Sequence, residues 1–91
     1  MRLGHFRLFV GNLGPEVTDA LFASTFTNSY PSVSKTRIIR DKKSNKSKGY
    51  GFVAFRDGKE YLKALKEMQG RWIGNRPCQV KKSDWATRNV S

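Results

Sequence analysis

The sequence is poor in the residues that build chemical centres. It has one cysteine, one histidine and seven acidic residues among 91. Cys78 alone excludes an intramolecular disulfide, which fits a reducing compartment. Cys78 and His5 together cannot supply the four ligands of a Cys/His zinc centre. No metal and no cofactor are expected. His5 and Cys78 stand in unrelated segments and make no nucleophile–base pair, so no catalysis is expected either. No apolar run approaches the ~18 residues of a membrane span, and no signal-peptide pattern opens the chain. Core-forming residues are also scarce: Leu, Ile, Val and Phe make up 21 of the 91. That is little above the ~20% below which a charged chain tends to stay disordered. One thin core is affordable, and an apolar residue left outside it needs a reason. What is abundant is positive charge. Eighteen Lys and Arg face seven Asp and Glu, a net +11. A small body with that charge repels itself unless it meets a polyanion. Nucleic acid is the first candidate and an anionic membrane surface the second.

The pattern along the chain is short and regular. Phe6 to Val10 is a β-rich run ended by Gly11. Thr18 is placed to cap a helix starting at Asp19, with Phe22 and Phe26 as its apolar stripe and Pro31 beyond its end. Lys35 to Arg40 reads as a second strand, Asp41 to Ser47 as a polar turn, and Lys48 to Arg56 as a third strand. Asp57 can cap a second helix, in which Tyr61, Ala64, Leu65 and Met68 recur at helical spacing and Gly70 marks the end. Cys78 to Lys82 reads as a last strand with Cys78 and Val80 facing inward. The order is β-α-β-β-α-β, an α+β fold. Right-handed crossovers place both helices on one face of a four-stranded sheet and leave the other face open.

Alternation then sorts the strands. Phe6, Leu8 and Val10 share one side of the first strand, and Gly51, Val53 and Phe55 one side of the third. These suit the core. The remainder puts Phe9, Tyr50 and Phe52 on the open side, beside Arg7 and Lys48. Three aromatics outside a thin core are the anomaly. A ring on a rigid strand stacks on any nucleobase for roughly 1–3 kcal/mol, and single-stranded RNA offers its bases for this. The bland alternative is that the chain's C-terminal segment or a protein partner covers these rings.

Lys48-Gly49-Tyr50-Gly51-Phe52-Val53-Ala54-Phe55 matches every position of the RNP1 motif, and Leu8-Phe9-Val10-Gly11-Asn12-Leu13 looks like a complete RNP2 motif. The chain thereby resembles the RNA recognition motif (RRM) family over residues 6–84, with 85–91 as a C-terminal extension. The resemblance implies a ferredoxin-like sandwich with an antiparallel sheet of order 4-1-3-2. It implies that Phe9 and Phe52 each stack a base, that Tyr50 packs on the sugars between, and that Lys48 meets a phosphate. Ile39-Arg40-Asp41-Lys42, Gly74-Asn75-Arg76-Pro77 and the tail around Trp85 resemble the RNA-binding protein 42 subfamily more narrowly. That likeness implies a nuclear protein, with the cytoplasm as a second location, associated with splicing or other mRNA-processing ribonucleoproteins.

Further residues join the expected RNA contact. Lys35 to Lys48 carries seven bases and one acid, with Lys42, Lys43 and Lys46 in its turn. Arg37 and Ile39 share the open face of the second strand if Thr36 and Ile38 face the core. Gln79 and Lys81 do the same on the last strand. Gly11-Asn12-Leu13-Gly14 reads as a tight turn rather than a phosphate loop, since no third glycine and no Lys-Ser/Thr follow. Cys78 reads as a core residue, Trp72 as locally packed, and His5 as exposed. Trp85 could seat a helix, cover the sheet or dock on a partner. The reading is a monomeric module that binds single-stranded RNA, with no membrane role. Its rival is an RRM-like scaffold that binds protein peptides. Such domains usually have degraded RNP aromatics, an acidic first helix and an Arg-x-Phe turn. Here the aromatics are intact, Asp19 is the only acid in the first helix, and the turn reads Arg71-Trp72-Ile73.

Overall fold

The computed structural model describes residues 6–83. His5, Trp85 and the rest of the tail, for which expectations are given above, lie outside the described residues. The elements are β1 (Phe6–Gly11), α1 (Asp19–Thr27), β2 (Val33–Arg40), β3 (Ser47–Phe55), α2 (Gly58–Glu67), β4 (Trp72–Ile73), β5 (Arg76–Pro77) and β6 (Gln79–Lys82). The main sheet has the order β2-β3-β1-β6, which is the expected 4-1-3-2 arrangement read from its other edge. All its pairs are antiparallel.

Both helices start where their caps dictate. Thr18 is extended, and its hydroxyl accepts from the Leu21 N–H at 3.1 Å. Asp57 accepts from the Lys59 N–H at 3.1 Å. Each cap satisfies an N–H that the first turn leaves unpaired. The buried stripes are Phe22 and Phe26 on α1, and Tyr61, Ala64 and Met68 at and just beyond α2. They meet Leu8, Val10, Ile38, Val53, Phe55 and Val80 from the sheet. Leu8, Val10, Val53 and Phe55 are wholly shielded from solvent, each stabilising the fold by roughly 1.5–3 kcal/mol.

Four details differ from the alternation pattern. Phe6 sits at the rim of the core, 40% exposed, because at the start of β1 its ring leans on Tyr61 beside the first turn of α2. Thr36 is only half-buried, since β2 is an edge strand. The last sheet strand begins at Gln79, one residue late. The Cys78 N–H donates to Arg71 O, and Cys78 O accepts from Gly70 N–H, so its backbone is committed to the turn after α2. Its thiol is buried as expected and donates to Met68 O at 3.2 Å, and burial pushes its pKa up. Finally, β4 and β5 form a small extra hairpin around Gly74, whose φ is +68°. Ile73 takes the inward position there, so Trp72 points to solvent instead of packing locally.

Candidate nucleic-acid interface

The open face is organised by register. Arg37 pairs with Phe52, Phe52 with Phe9, and Phe9 with Lys81. One row thus crosses all four strands as cation, ring, ring, cation. A second row runs Lys35, Ala54, Arg7. Gly11 and Gln79 pair at the other end. Close strand approach maintains these rows: a Cβ at Gly51 would collide with the Arg37 carbonyl.

The three rings form one cluster. Phe9 stacks on Tyr50 at 5.6 Å, and Phe52 sits edge-on to Phe9 at 5.8 Å and to Tyr50 at 6.2 Å. The Arg7 guanidinium lies 5.6 Å over the Phe52 ring. These contacts leave the rings half-buried rather than fully open. They also fix ring orientation before any ligand arrives, so less ordering entropy is lost on binding.

The basic turn is equally preset. The Asp41 carboxylate accepts from the N–H groups of Lys43 and Ser44 and from the Ser44 hydroxyl. Those bonds, Ser44 N–H first, hold its pKa below the usual carboxylate value, with help from the Lys48 charge. Lys42, Lys43 and Lys46 project from this turn, exposed. Between Ile38 and Arg40 the register shifts, so that Lys48 to Tyr50 bulge opposite Ile39. Gly49 accommodates the bulge at φ +90°. Lys48 accordingly gathers with Arg37, Ile39, Arg40, Lys42 and Lys43 around a groove of about 930 Å³ at the sheet edge. The structure therefore places Phe9, Tyr50, Phe52, Arg7, Arg37 and Lys81 together on the face. Lys42, Lys43, Lys48 and Ile39 meet at its β2 edge, and Gln79 marks the β6 edge.

One residue of this surface was not singled out by the sequence. Arg40 lines the groove and binds Asp19 at 3.3 Å, across from α1. Its place in a seven-cation segment was a signal, but its partner is 21 residues away. Among the described residues, no three His, Cys, Asp or Glu side chains gather as metal ligands would. The surface can stack planar rings and neutralise anions.

Known proteins resemble this chain in sequence and in fold. The chain is 48% identical over 85 residues to RNA-binding protein 42 of Danio rerio, covering 93% of this chain and 21% of that protein. It is 40% identical over 87 residues to oligouridylate-binding protein 1B of Arabidopsis thaliana, covering 96% and 20%. The chain thus spans about a fifth of the length of these curated relatives. Among solved structures, the first two RRM domains of the yeast poly(U) binding protein Pub1 superpose with a TM-score of 0.83 at 28% identity, covering 92% of this chain and 50% of that one. The RNA recognition motif family model matches residues 8–79, from the first buried leucine of β1 to the start of β6. With its motifs on the two central strands and its helices on one side, the chain belongs to the RNA recognition motif family.

Proposed function

We propose that this domain binds single-stranded RNA across its open sheet, with Phe9 and Phe52 each stacking a base and Tyr50 packing on the intervening sugars. The observation that carries the reading is the preset cluster of those three rings on the face the helices leave bare, flanked by Arg7, Arg37 and Lys81. Stacking supplies affinity for any base, and the cations neutralise the phosphates between bases. Lys42, Lys43, Lys46 and Lys48 extend the electrostatic contact at the β2 edge, and Ile39 and Gln79 bound the path. Uridine-rich RNA is the natural first ligand, given that two relatives are named for oligouridylate and poly(U) binding. We place the activity in nuclear mRNA processing, within a larger ribonucleoprotein, on the similarity to RNA-binding protein 42. Titration of the domain with a fluorescent oligouridylate tests the binding itself. Saturable binding that Phe9→Ala and Phe52→Ala each weaken, with unchanged melting curves, is the expected result. Wild-type affinity in both variants would move the RNA off the sheet.

A further inference from the structure

Trp72 is the most exposed large apolar side chain among the described residues, 68% open to solvent. In a chain whose core is this thin, a bare indole calls for an explanation. The hairpin carrying it is firmly held. The Asn12 side-chain amide donates to Pro77 O at 2.7 Å, and the Asn75 N–H donates to the Glu16 carboxylate at 2.9 Å. That bond holds the Glu16 pKa below its usual value. Asn12 and Glu16 both follow β1, so the hairpin is fixed to the end of the sheet where β1 finishes.

Register gives the direction of the indole. Ile73 and Cys78 are buried, whereas Trp72 and its cross-strand partner Pro77 are exposed. Pro77 stands two residues before Gln79, on the same outward side of the chain, and Gln79 pairs with Gly11. The outward side of the hairpin therefore continues the open face beyond β6. Its charge continues too. Residues 68–83 contain Arg71, Arg76, Lys81 and Lys82 and no acid.

We propose that Trp72 is a fourth stacking platform, holding one further base of a single-stranded RNA that leaves the sheet over β6. The proposal rests on the RNA-binding reading above. A base meets the chemistry of this spot: an exposed indole for its plane, on the side of the chain from which Lys81 also faces out for an adjoining phosphate. A protein partner covering this side would instead have to approach a segment that carries four cations and no acid.

The test compares two RNA lengths. An oligouridylate of about four nucleotides fills the sheet rings alone, and one of about eight also reaches the hairpin. Trp72→Ala opens no core cavity, because the indole is outside the core. It should weaken the longer RNA about five- to hundredfold and leave the shorter unchanged. Trp72→Phe should retain part of the difference. In a Trp85→Phe background, the longer RNA should quench Trp72 fluorescence and the shorter should not. Equal affinities of wild type and Trp72→Ala for the longer RNA, or an equal loss at both lengths, would overturn the platform. If wild type binds neither RNA, the RNA-binding reading falls and the platform falls with it.

Discussion

Phe52 and Val53 are neighbours in sequence with opposite surroundings. Phe52 touches Phe9, Tyr50 and Arg7 on the open side, while Val53 is wholly buried. Phe52→Ala should leave the melting temperature nearly unchanged and lower RNA affinity by about 1–3 kcal/mol. Val53→Ala should lower stability by about 1–3 kcal/mol, with its folded fraction binding normally. Thermal melts and RNA titrations on both variants read the contrast, and a reversed pattern would invert the two faces. Tyr30 makes a different point about burial. Its hydroxyl donates to Glu67 at 2.8 Å, and burial followed by that bond pushes its pKa up to about 12. The protonated phenol is the form the fold favours, so its contribution is complete below pH 10. It is lost as the pH rises from about 10 to about 12. An ultraviolet titration should show a late tyrosine phase near the top of that window, and Tyr30→Phe should remove it.

The β2–β3 turn contributes at the level of an element. Asp41 ties its backbone, so Lys42, Lys43 and Lys46 are presented in one arrangement. Each phosphate they neutralise should add about −0.7 to the slope of log affinity against log salt. Reversing all three charges should weaken every RNA sequence alike and flatten the slope by roughly 1–2. A slope equal to that of wild type would remove the turn from the contact. This turn, β1, β3 and both helices were legible in the sequence. Their signals are local: a cap such as Thr18, a strict alternation such as Gly51 to Phe55, a glycine where a strand ends. The β4–β5 hairpin was not read, although Gly74-Asn75 between Ile73 and Arg76 is a two-residue turn signal. Strands of two residues carry no period, and the hairpin is held by Asn12 and Glu16, 65 and 59 residues from their partners. The exposure of Trp72 follows from that arrangement. The bulge at Gly49 was hidden for a related reason. Alternation assumes an even ladder, and the shift becomes visible only once Ile38 and Arg40 have partners.

At the scale of the whole molecule, the candidate site is a surface rather than a pocket, and nearly all of it is carried by one rigid sheet. The two helices lie on the opposite side, where Leu21 and Leu62 are left exposed, so the RNA face and the helical face are separate surfaces. The sheet's topology has one more effect. β1 begins the described chain and β6 ends it, yet Leu8 pairs with Lys82 and the Ser83 N–H donates to Arg7 O at 3.1 Å. The first and last strands are closed against each other like a clasp. The fold thus has no topological need for its chain to start at β1. A circular permutant joining Ser83 to Phe6 through a short linker, and opened between Lys43 and Ser44, should fold to the same sheet, as nuclear magnetic resonance amide spectra would show. It should refold more slowly: β1 and β6 become a local hairpin, but the cut turns the β2–β3 pairing, the more extensive of the two, into the most distant one in the chain. The cut would also leave Lys43 and Ser44 on free ends, separating the backbone that Asp41 ties from the sheet that the rings require.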